Sequence, residues 1–426
     1  MTTSRWKNLI LRVAVITMSC GLVFGQAQEK VLWSFAGPPG DGLIPIGNLI
    51  LDPAGNLYGV TQAGGSSVTN EGGTVFELSP DGQGSWFETI LYNFCSDYVN
   101  FQCLDGALPQ AGLVLDSANN LYGTTWEGGA NGQGTVFELS PPSAPGGPWT
   151  ESVLHSFCAN NVNNQCLDGA FPASQLALDA QGNLYGTAGG GSGHGSGGIV
   201  FEFSLIAGEW TETILYDFCS LGQGNFCPDG GDPRGGVAFD KSNNLFGTTQ
   251  LGGAPSSVGG GTIYKLSANS EGWVETVLFA SAYPSKGSDP QGGASLDGLG
   301  NLYTTFYSGG QSGNGGVFKL APGGSHVEFW FDGADGSGPG AGVLVDLKRH
   351  ALYGTTEGGG DHGGGTVFKM TAPAQEAVVY SFCQQTNCSD GGIPVAGLIE
   401  DNSGNLYGTA KGGGTYRDGV VFEITP

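Results

Sequence analysis

An Asp-Gly-x-x-Pro motif recurs along this chain, and its carboxylates are the most numerous groups that could do chemistry. Six copies carry the aspartate, and these are Asp41, Asp105, Asp168, Asp229, Asp335 and Asp390. A seventh copy has lysine at that place, in Lys286-Gly287-Ser288-Asp289-Pro290. Carboxylate oxygens are the ligands that Ca²⁺ prefers. If the copies meet around one axis, the motif predicts a ring of like charges that binds calcium, or a polar rim that binds a sugar or a peptide.

The same motif also has a structural interpretation. Asp and Gly favour a tight turn, and Pro fixes the backbone of the residue that enters the next strand. Each aspartate would then accept backbone N–H bonds within its own turn, and Lys286 would only be a counter-charge to its neighbours. Calcium should raise the melting temperature in the first case and leave it unchanged in the second. The sequence leaves both open, and no other cofactor is expected.

Two of the five histidines, His194 and His362, fall in glycine-rich segments near these motifs. They could serve a metal or a catalytic step, but no GxSxG or HExxH motif accompanies them. Repetition argues against the aspartates as an acid/base pair of the glycosidase kind, since catalysis needs such a residue in one copy only. We therefore expect a binding or scaffold protein. A polysaccharide lyase or a glycoside hydrolase that uses these histidines or aspartates is the alternative.

Four aromatic residues lie in the same glycine-rich segments, and these are Trp126, Phe306, Tyr307 and Tyr416. An exposed aromatic ring can stack on a sugar. Such rings more often cover a neighbouring repeat, and we favour that interpretation. Glycine runs such as Gly189 to Gly198 and Gly358 to Gly365 can also bind phosphate, but no basic residue or helix start directly follows these two.

The elements that must position these residues follow from a repeat. Its seven copies are Asn56 to Gly59, Asn120 to Gly123, Asn183 to Gly186, Asn244 to Gly247, Asn301 to Thr304, Ala351 to Gly354 and Asn405 to Gly408. Each copy predicts four short strands, which in the second copy are 112–116, 120–125, 134–140 and 149–157. The first two are joined by a turn that begins with aspartate, as in Asp52 to Asn56. Seven such units predict an all-β fold, a seven-bladed β-propeller.

The two ends of the repeat array predict a closed ring. The last copy stops after its third strand, Val420 to Thr425. The segment Lys30 to Phe35 resembles the fourth strands of other copies, such as Thr89 to Phe94. It would complete the last blade and protect the edges of an open array. In such a ring the loops from fourth to first strands and from second to third strands share one face, which we call the upper face. Both the Asp-Gly-x-x-Pro motifs and the glycine-rich segments belong to it.

The first 27 residues are predicted to be a signal peptide, with Arg5, Lys7 and Arg12 before an apolar stretch and a small-residue site ending at Ala27. Cys20 raises the alternative of a lipoprotein. Residues 28–426 then form one domain, exported to the periplasm, the cell surface or the medium, and we expect a monomer. Its eight cysteines are predicted to pair locally, as Cys95/Cys103, Cys158/Cys166, Cys219/Cys227 and Cys383/Cys388.

The net charge of −24 makes nucleic acid and anionic membrane surfaces unsuitable partners. An extracellular glycan or protein is the expected ligand. The pattern Asn120 to Thr125, Gly128-Gly129 and Gly134 to Leu139 resembles the GloVer tandem repeat of bacterial surface proteins. The resemblance covers residues 30 to 426 and implies no particular activity. Family members often end in a sorting anchor, whereas the printed sequence has no apolar tail, so release is expected.

Overall fold

The computed structural model describes residues 27–66, 72–144, 146–193, 197–222, 226–253, 260–281, 287–371 and 375–426. Over these residues the chain forms seven antiparallel sheets, one for each sequence repeat. In each sheet the strands pair in the order first, second, third and fourth, which makes it one blade of a propeller. The predicted seven-bladed β-propeller is confirmed. One helical element occurs in the described ranges, the 3-10 turn Thr386–Cys388.

The first and second strands of each blade lie on the side of the central channel. The first strands are Gly42–Leu51, Val114–Leu115, Ala170–Pro172 with Ala177–Leu178, Ala238–Phe239, Ser295–Leu296, Leu344–Asp346, and Gly392–Pro394 with Ile399–Glu400. The second strands are Leu57–Gly64, Leu121–Thr125, Leu184–Gly190, Leu245–Thr249, Leu302–Phe306, Ala351–Thr356 and Leu406–Gly412.

The third and fourth strands complete the blades toward the rim. The third strands are Thr74–Pro80, Thr135–Ser140, Ile199–Ile206, Thr262–Asn269, Gly316–Leu320, Thr366–Thr371 and Val420–Thr425. The fourth strands of blades 1 to 6 are Trp86–Asn93, Thr150–Ser156, Glu209–Asp217, Gly272–Ala280, His326–Trp330 and Gln375–Ser381. Two small hairpins, Tyr98–Val99 with Gln102–Cys103 and Asn161–Val162 with Gln165–Cys166, lie between blades.

The strand Gln28–Ser34 supplies the fourth strand of blade 7, so the predicted closure is confirmed. It pairs antiparallel with Val420–Thr425, from Gln28 opposite Thr425 to Ser34 opposite Val420. Phe35, which follows it, is fully buried and its ring lies 5.2 Å from that of Phe76 in blade 1. One strand therefore joins the two ends of the repeat array.

The recurring turn aspartate holds the first two strands of a blade together. Oδ1 of Asp52 accepts hydrogen bonds of 2.8 Å from the backbone N–H groups of Ala54 and Asn56. Its Oδ2 accepts one from the side chain of Asn56 at 2.8 Å. The same arrangement recurs at Asp116, Asp179, Asp240, Asp297 and Asp401. The structural role predicted for these aspartates is confirmed.

The repeated glycine after Asn-Leu-Tyr makes room for the aromatic residue of the third strand. A Cβ atom on Gly123 would lie 2.6 Å from the ring of Phe137, and one on Gly186 would lie 2.5 Å from that of Phe201. Contacts this short do not occur between real side chains, so a larger residue here would displace the ring. The rings pack between blades, with Phe94 of blade 1 lying 4.9 Å from Phe137 of blade 2. The hydrophobic core is thus a ring of inter-blade clusters.

In blades 2 to 6 a threonine near the end of the second strand binds its blade to the next one. Thr355 donates a hydrogen bond of 2.7 Å to the carbonyl of Ala396, and Thr305 donates one of 2.9 Å to the carbonyl of Ala341. The following threonine pairs with the third strand of its own blade, as between the hydroxyls of Thr125 and Thr135 at 2.8 Å. Both contacts are buried, and they explain why threonine follows the glycine in most repeats.

The predicted signal peptide and Cys20 lie outside the described residues, apart from Ala27. In the ranges that the structure describes, no helix has the length and apolar character needed to cross a membrane. The four predicted disulfides are present, between Cys95 and Cys103, Cys158 and Cys166, Cys219 and Cys227, and Cys383 and Cys388. Four such bonds indicate an oxidising compartment.

Candidate functional site

The six motif aspartates lie in the crossovers, the segments that connect the fourth strand of one blade to the first strand of the next. Four of the crossovers are closed by a disulfide, and each of these contains a buried aspartate. The four are Asp105, Asp168, Asp229 and Asp390. None of the six is among the residues that line the central cavity. The motif therefore repeats around the axis, as predicted, but at the joints between blades.

Each of these carboxylates is hydrogen bonded within its own crossover. Oδ2 of Asp229 accepts bonds from the hydroxyls of Tyr216 and Ser220 at 3.1 and 3.0 Å, and from the N–H of Ser220 at 2.9 Å. Asp105 has the corresponding partners Tyr92 and Ser96. These contacts support the structural interpretation of the motif. Calcium binding at these aspartates is the untested alternative.

A glutamate from the next blade faces each motif aspartate. The pairs are Glu29 with Asp390, Glu88 with Asp41, Glu151 with Asp105, Glu212 with Asp168, Glu275 with Asp229, and Glu376 with Asp335. Burial and the neighbouring aspartate raise the pKa of Glu88 and of Glu151 to about 8. The joints between blades therefore bury pairs of carboxyl groups, and the glutamate holds its proton near neutral pH.

The residue before the proline of each motif has a left-handed backbone conformation and lies at the upper end of the channel. These residues are Ile44, Leu108, Phe171, Asp232, Asp289, Gly338 and Ile393, and all have φ between 52° and 66°. The N–H of Asp232 donates to the carbonyl of Gly197 in the preceding blade at 2.9 Å, and its carbonyl accepts from Gln250 at 3.1 Å. The hydrogen bonds on both sides hold this uncommon conformation, so the residues around the proline are placed rigidly.

Eight polar or aromatic residues meet at the upper end of the channel, and we call them the mouth cluster. They come from three positions: before the motif proline, after it, and at or just past the end of the second strand. The members are Trp126, Asp232, Arg234, Asp289, Gln291, Tyr307, Glu357 and Lys411. They belong to blades 2, 4, 5, 6 and 7. Arg234 and Lys411 are two of the few basic residues of this acidic chain.

Direct contacts link the members of the mouth cluster. Nε of Arg234 lies 3.0 Å from Oδ1 of Asp232, and its guanidinium lies 5.0 Å from the ring centre of Trp126. Nζ of Lys411 lies 3.3 Å from Oε2 of Glu357.

Two members of the cluster sit in a partly desolvated position. Burial raises the pKa of the Asp289 carboxyl, although the hydrogen bond from Gln291 opposes this shift. Burial and the charges of Glu357 and Asp289 raise the pKa of the Tyr307 hydroxyl. The cluster thus offers paired charges, amides and a hydroxyl, partly shielded from water.

The channel contains a cavity of about 640 Å³, and Arg234, Gln291, Glu357 and Lys411 of the mouth cluster are among the residues that line it. Glycine-rich first strands line it, and Gln110, Gln250 and Gln291 project amides near its mouth. A Cβ atom on Gly112 would lie 2.5 Å from the carbonyl oxygen of Asn48. The inner strands therefore approach one another too closely for larger residues at this level. A cavity of this volume is typical of sites for small ligands.

The individual residues that the sequence singled out lie in different environments and do not form one site. The ring of Trp126 stacks on Phe171 of the next blade at 5.1 Å, so it covers a neighbouring blade, as we favoured. His362 is exposed in a loop of blade 6 and does not line the cavity. Tyr416 is 60% exposed. His194 and Lys286 lie outside the described residues.

The placement of Phe306 in a loop was wrong. It is the last residue of the second strand of blade 5 and is only 1% exposed. Its ring packs against Phe318 at 5.6 Å and against Trp330 at 6.2 Å. It replaces the threonine that pairs with the third strand in blades 1, 2, 4 and 6. An aromatic contact thus substitutes for a hydrogen bond there.

Sequence reasoning missed Arg234, Glu357 and Lys411. A signal for two of them was present in the repeat itself. The sixth residue after the start of each Asn-Leu-Tyr-Gly copy varies from blade to blade, with only glutamine occurring twice, and its residues are Gln62, Trp126, Gly189, Gln250, Tyr307, Glu357 and Lys411. The positions before it repeat closely. A position that varies beside positions that repeat is expected where the side chain contacts a ligand and is not needed for the structure of the blade.

Several solved structures are similar to this chain. The puromycin hydrolase structure is matched with a TM-score of 0.54 and 12% identity, over 88% of this chain and 50% of that one. A protein from Bacteroides uniformis assigned as a 6-phosphogluconolactonase is matched with a TM-score of 0.48 and 14% identity, over 78% and 83%. A glucose dehydrogenase is matched with a TM-score of 0.43 and 12% identity, over 94% and 99%. At such identities the likeness concerns the fold alone.

No curated protein matches this chain in sequence. The repeat pattern described as the Gloeobacter/Verrucomicrobia repeat matches residues 18–168, 91–280 and 256–426. Together these matches extend over nearly all of the chain and over all seven blades. The resemblance that the repeated motifs indicated is confirmed. The chain belongs to the Gloeobacter/Verrucomicrobia repeat family.

Proposed function

We propose that this protein is an exported binding module for an extracellular glycan, which is bound at the mouth cluster. The observation that carries the proposal is the broken repetition at the channel mouth. Strand, turn and core positions recur from blade to blade, whereas the mouth residues differ. A ligand without seven-fold symmetry requires such an arrangement, because each of its groups meets a different side chain.

The chemistry of the mouth cluster suits a molecule rich in hydroxyl groups. Gln291, and Gln250 of the adjoining cavity lining, can each donate and accept hydrogen bonds, Arg234 donates, and Glu357 accepts. Four of the five acidic and basic members form pairs, at 3.0 Å for Arg234 with Asp232 and 3.3 Å for Lys411 with Glu357. A paired charge can bind a neutral hydroxyl without leaving an isolated ion, so neutral sugars are suitable ligands.

A binding screen combined with a cleavage assay tests this proposal. The mature protein is applied to an array of neutral and acidic polysaccharides, and the bound species are then incubated with it and analysed for shorter products. We expect binding without cleavage. The alternative is a lyase or hydrolase, and cleavage that disappears in His362→Asn or in a variant of His194 would overturn the binding-only proposal.

An extracellular protein is the second candidate ligand, and one exposed surface favours it. The hairpin Tyr98–Val99 with Gln102–Cys103 is closed by a disulfide, and Phe101 at its tip is 91% exposed. A ring held in solvent on a rigid hairpin can serve as an anchor for a partner. If Phe101→Ser abolishes capture of a protein partner and leaves glycan binding intact, the hairpin is a separate site.

A further inference from the structure

One joint between blades differs in chemistry from the others. His155 lies on the fourth strand of blade 2, Asp168 in the crossover that follows, and Glu212 on the fourth strand of blade 3. Nε2 of His155 lies 3.1 Å from Oδ2 of Asp168 and 3.8 Å from Oε2 of Glu212. The three ligand atoms all lie within 4.8 Å of one another. The cluster thus combines one imidazole with two carboxylates.

Three other joints place tyrosine where this joint has histidine. His155 is opposite Val136 in the strand pairing, as Tyr92 is opposite Val75 and Tyr216 is opposite Val200. Tyr380 is the third equivalent residue. The tyrosine hydroxyls only donate a hydrogen bond to the motif aspartate, at 2.8 to 3.1 Å. An imidazole makes the same contact, but it is also a ligand that zinc and related ions prefer.

We propose that His155 Nε2, Asp168 Oδ2 and Glu212 Oε2 bind one divalent transition-metal ion of the zinc or cobalt class between blades 2 and 3. Bonds of about 2.0–2.2 Å at tetrahedral angles place the ligand atoms about 3.3–3.6 Å apart. The observed separations of 3.1 and 3.8 Å lie on either side of that range, so small side-chain movements suffice. A water molecule completes the coordination.

The surroundings of the cluster are compatible with a bound ion and resemble those of the other joints, so the imidazole of His155 is the group that distinguishes this one. The N–H groups of Ala159 and Asn160 donate to the two oxygens of Asp168, at 2.9 and 3.1 Å, and so orient this ligand. In the described ranges Oε1 of Glu212 is buried without a hydrogen-bond partner, as is the same oxygen of the glutamate at each of the other five joints. The side chains of His155 and Glu212 are 18% and 13% exposed, so an ion can enter from solvent. The cluster is separate from the mouth cluster, and the proposal does not depend on glycan binding.

Metal titration of the mature, disulfide-bonded protein tests this proposal. After chelator treatment, Co²⁺ is added and followed by its visible absorption, and Zn²⁺ binding is measured by calorimetry. We expect one ion per chain. In His155→Tyr, which installs the residue of the other joints and should fold, affinity should fall by more than the roughly 10- to 100-fold typical of losing an outer-shell partner. His362→Asn, at an exposed histidine, should bind as the unchanged protein does.

Three results would overturn the proposal. The first is no Co²⁺ absorption and no Zn²⁺ heat in the unchanged protein, which would make the cluster an ion pair only. The second is unchanged binding in His155→Tyr, and the third is loss of the ion in His362→Asn. If His155→Tyr fails to fold, Glu212→Gln is used in its place, because this change removes the negative charge of one ligand and keeps the shape of the side chain.

Discussion

Nδ2 of Asn48 donates a hydrogen bond of 2.9 Å to Oε1 of Gln175, and this bond joins blade 1 to blade 3 inside the channel. Oδ1 of Asn48 accepts a bond of 2.7 Å from the N–H of Gly397 in blade 7. Nε2 of Gln175 donates one of 2.9 Å to the carbonyl of Leu113 in blade 2. Two side chains therefore connect four blades at the floor of the candidate site.

Replacing Asn48 should destabilise the ring. The change Asn48→Ala leaves the Gly397 N–H and the Gln175 amide without these partners, which should cost about 1–3 kcal/mol. Thermal unfolding followed by circular dichroism measures the loss. Gln110→Ala, at another residue of the cavity lining, is the matched control and should change little. Equal melting temperatures for Asn48→Ala and the unchanged protein would show that the cross-channel bond contributes nothing.

Removing the closing strand should cost far more than removing a loose terminus. Deletion of residues 28–35 from the mature chain removes the partner of Val420–Thr425 and uncovers the core around Phe76. We expect a much lower melting temperature or failure to fold. A synthetic peptide of residues 28–35, added in excess, should restore part of the loss. A melting temperature unaffected by the deletion would refute closure by this strand.

The motif aspartates should contribute to stability without calcium. Asp229 is fully buried and accepts several hydrogen bonds from its own crossover, so Asp229→Asn should cost about 2–3 kcal/mol. Asp361→Asn, at an exposed loop residue, should cost little. Melting curves in calcium and in chelator should coincide. A calcium-dependent rise in melting temperature that is lost in Asp105→Asn would instead establish the calcium site.

Stability should fall as the pH rises from about 4.5 to about 8. The pKa of Glu88 is raised from 4.5 to about 8 by burial and by Asp41, and that of Glu275 is raised to about 7 by burial and by Asp229. The unfolded chain loses these protons first, so the stabilisation is complete below pH 4.5 and is lost as the pH passes the folded values. Burial opposes the charged form of Asp401, but the hydrogen bonds with Asn405 stabilise the carboxylate and outweigh that effect, so the pKa of Asp401 is lowered. Protonation of this carboxylate in stronger acid removes that stabilisation, so stability also falls at low pH.

Melting temperatures measured across this pH range test the prediction. The unchanged protein should melt at its highest temperature near pH 4 to 5 and several degrees lower at pH 8.5. Glu88→Gln should flatten the alkaline part of the profile, because the amide has no proton to lose. Glu271→Gln, in an exposed turn, should leave it unchanged. A profile that rises from pH 5 to pH 8.5 would contradict the burial of neutral glutamates at the joints.

The fold could be predicted from the sequence because its determinants are local and repeated. Two of these determinants use residues of a single repeat, namely the Asp52 turn and the glycine that makes room for Phe137. The closing strand that starts at Gln28 belongs to one segment that resembles the fourth strand of a repeat. The four disulfides follow for the same reason, since each closes a loop of five or eight residues.

The sites could not be predicted because their residues come from different blades. Arg234 meets Trp126 across more than a hundred residues of chain, and Glu212 reaches His155 from the next blade. Strand pairing also shifts between Val136 and Phe137, which breaks the simple alternation of faces along the strand that carries His155. Spacing along the chain therefore gave no sign of either contact.

Binding of the best array ligand to mouth variants tests the central claim most directly. Titration calorimetry compares the unchanged protein with Arg234→Gln and Lys411→Gln, and with Lys241→Gln as control. Lys241 lies in the turn between the first two strands of blade 4, on the face opposite the mouth. We expect both mouth variants to weaken binding at least about tenfold, equal to about 1.4 kcal/mol, and the control to bind normally. Equal affinity for all four proteins would place the ligand elsewhere and contradict the account.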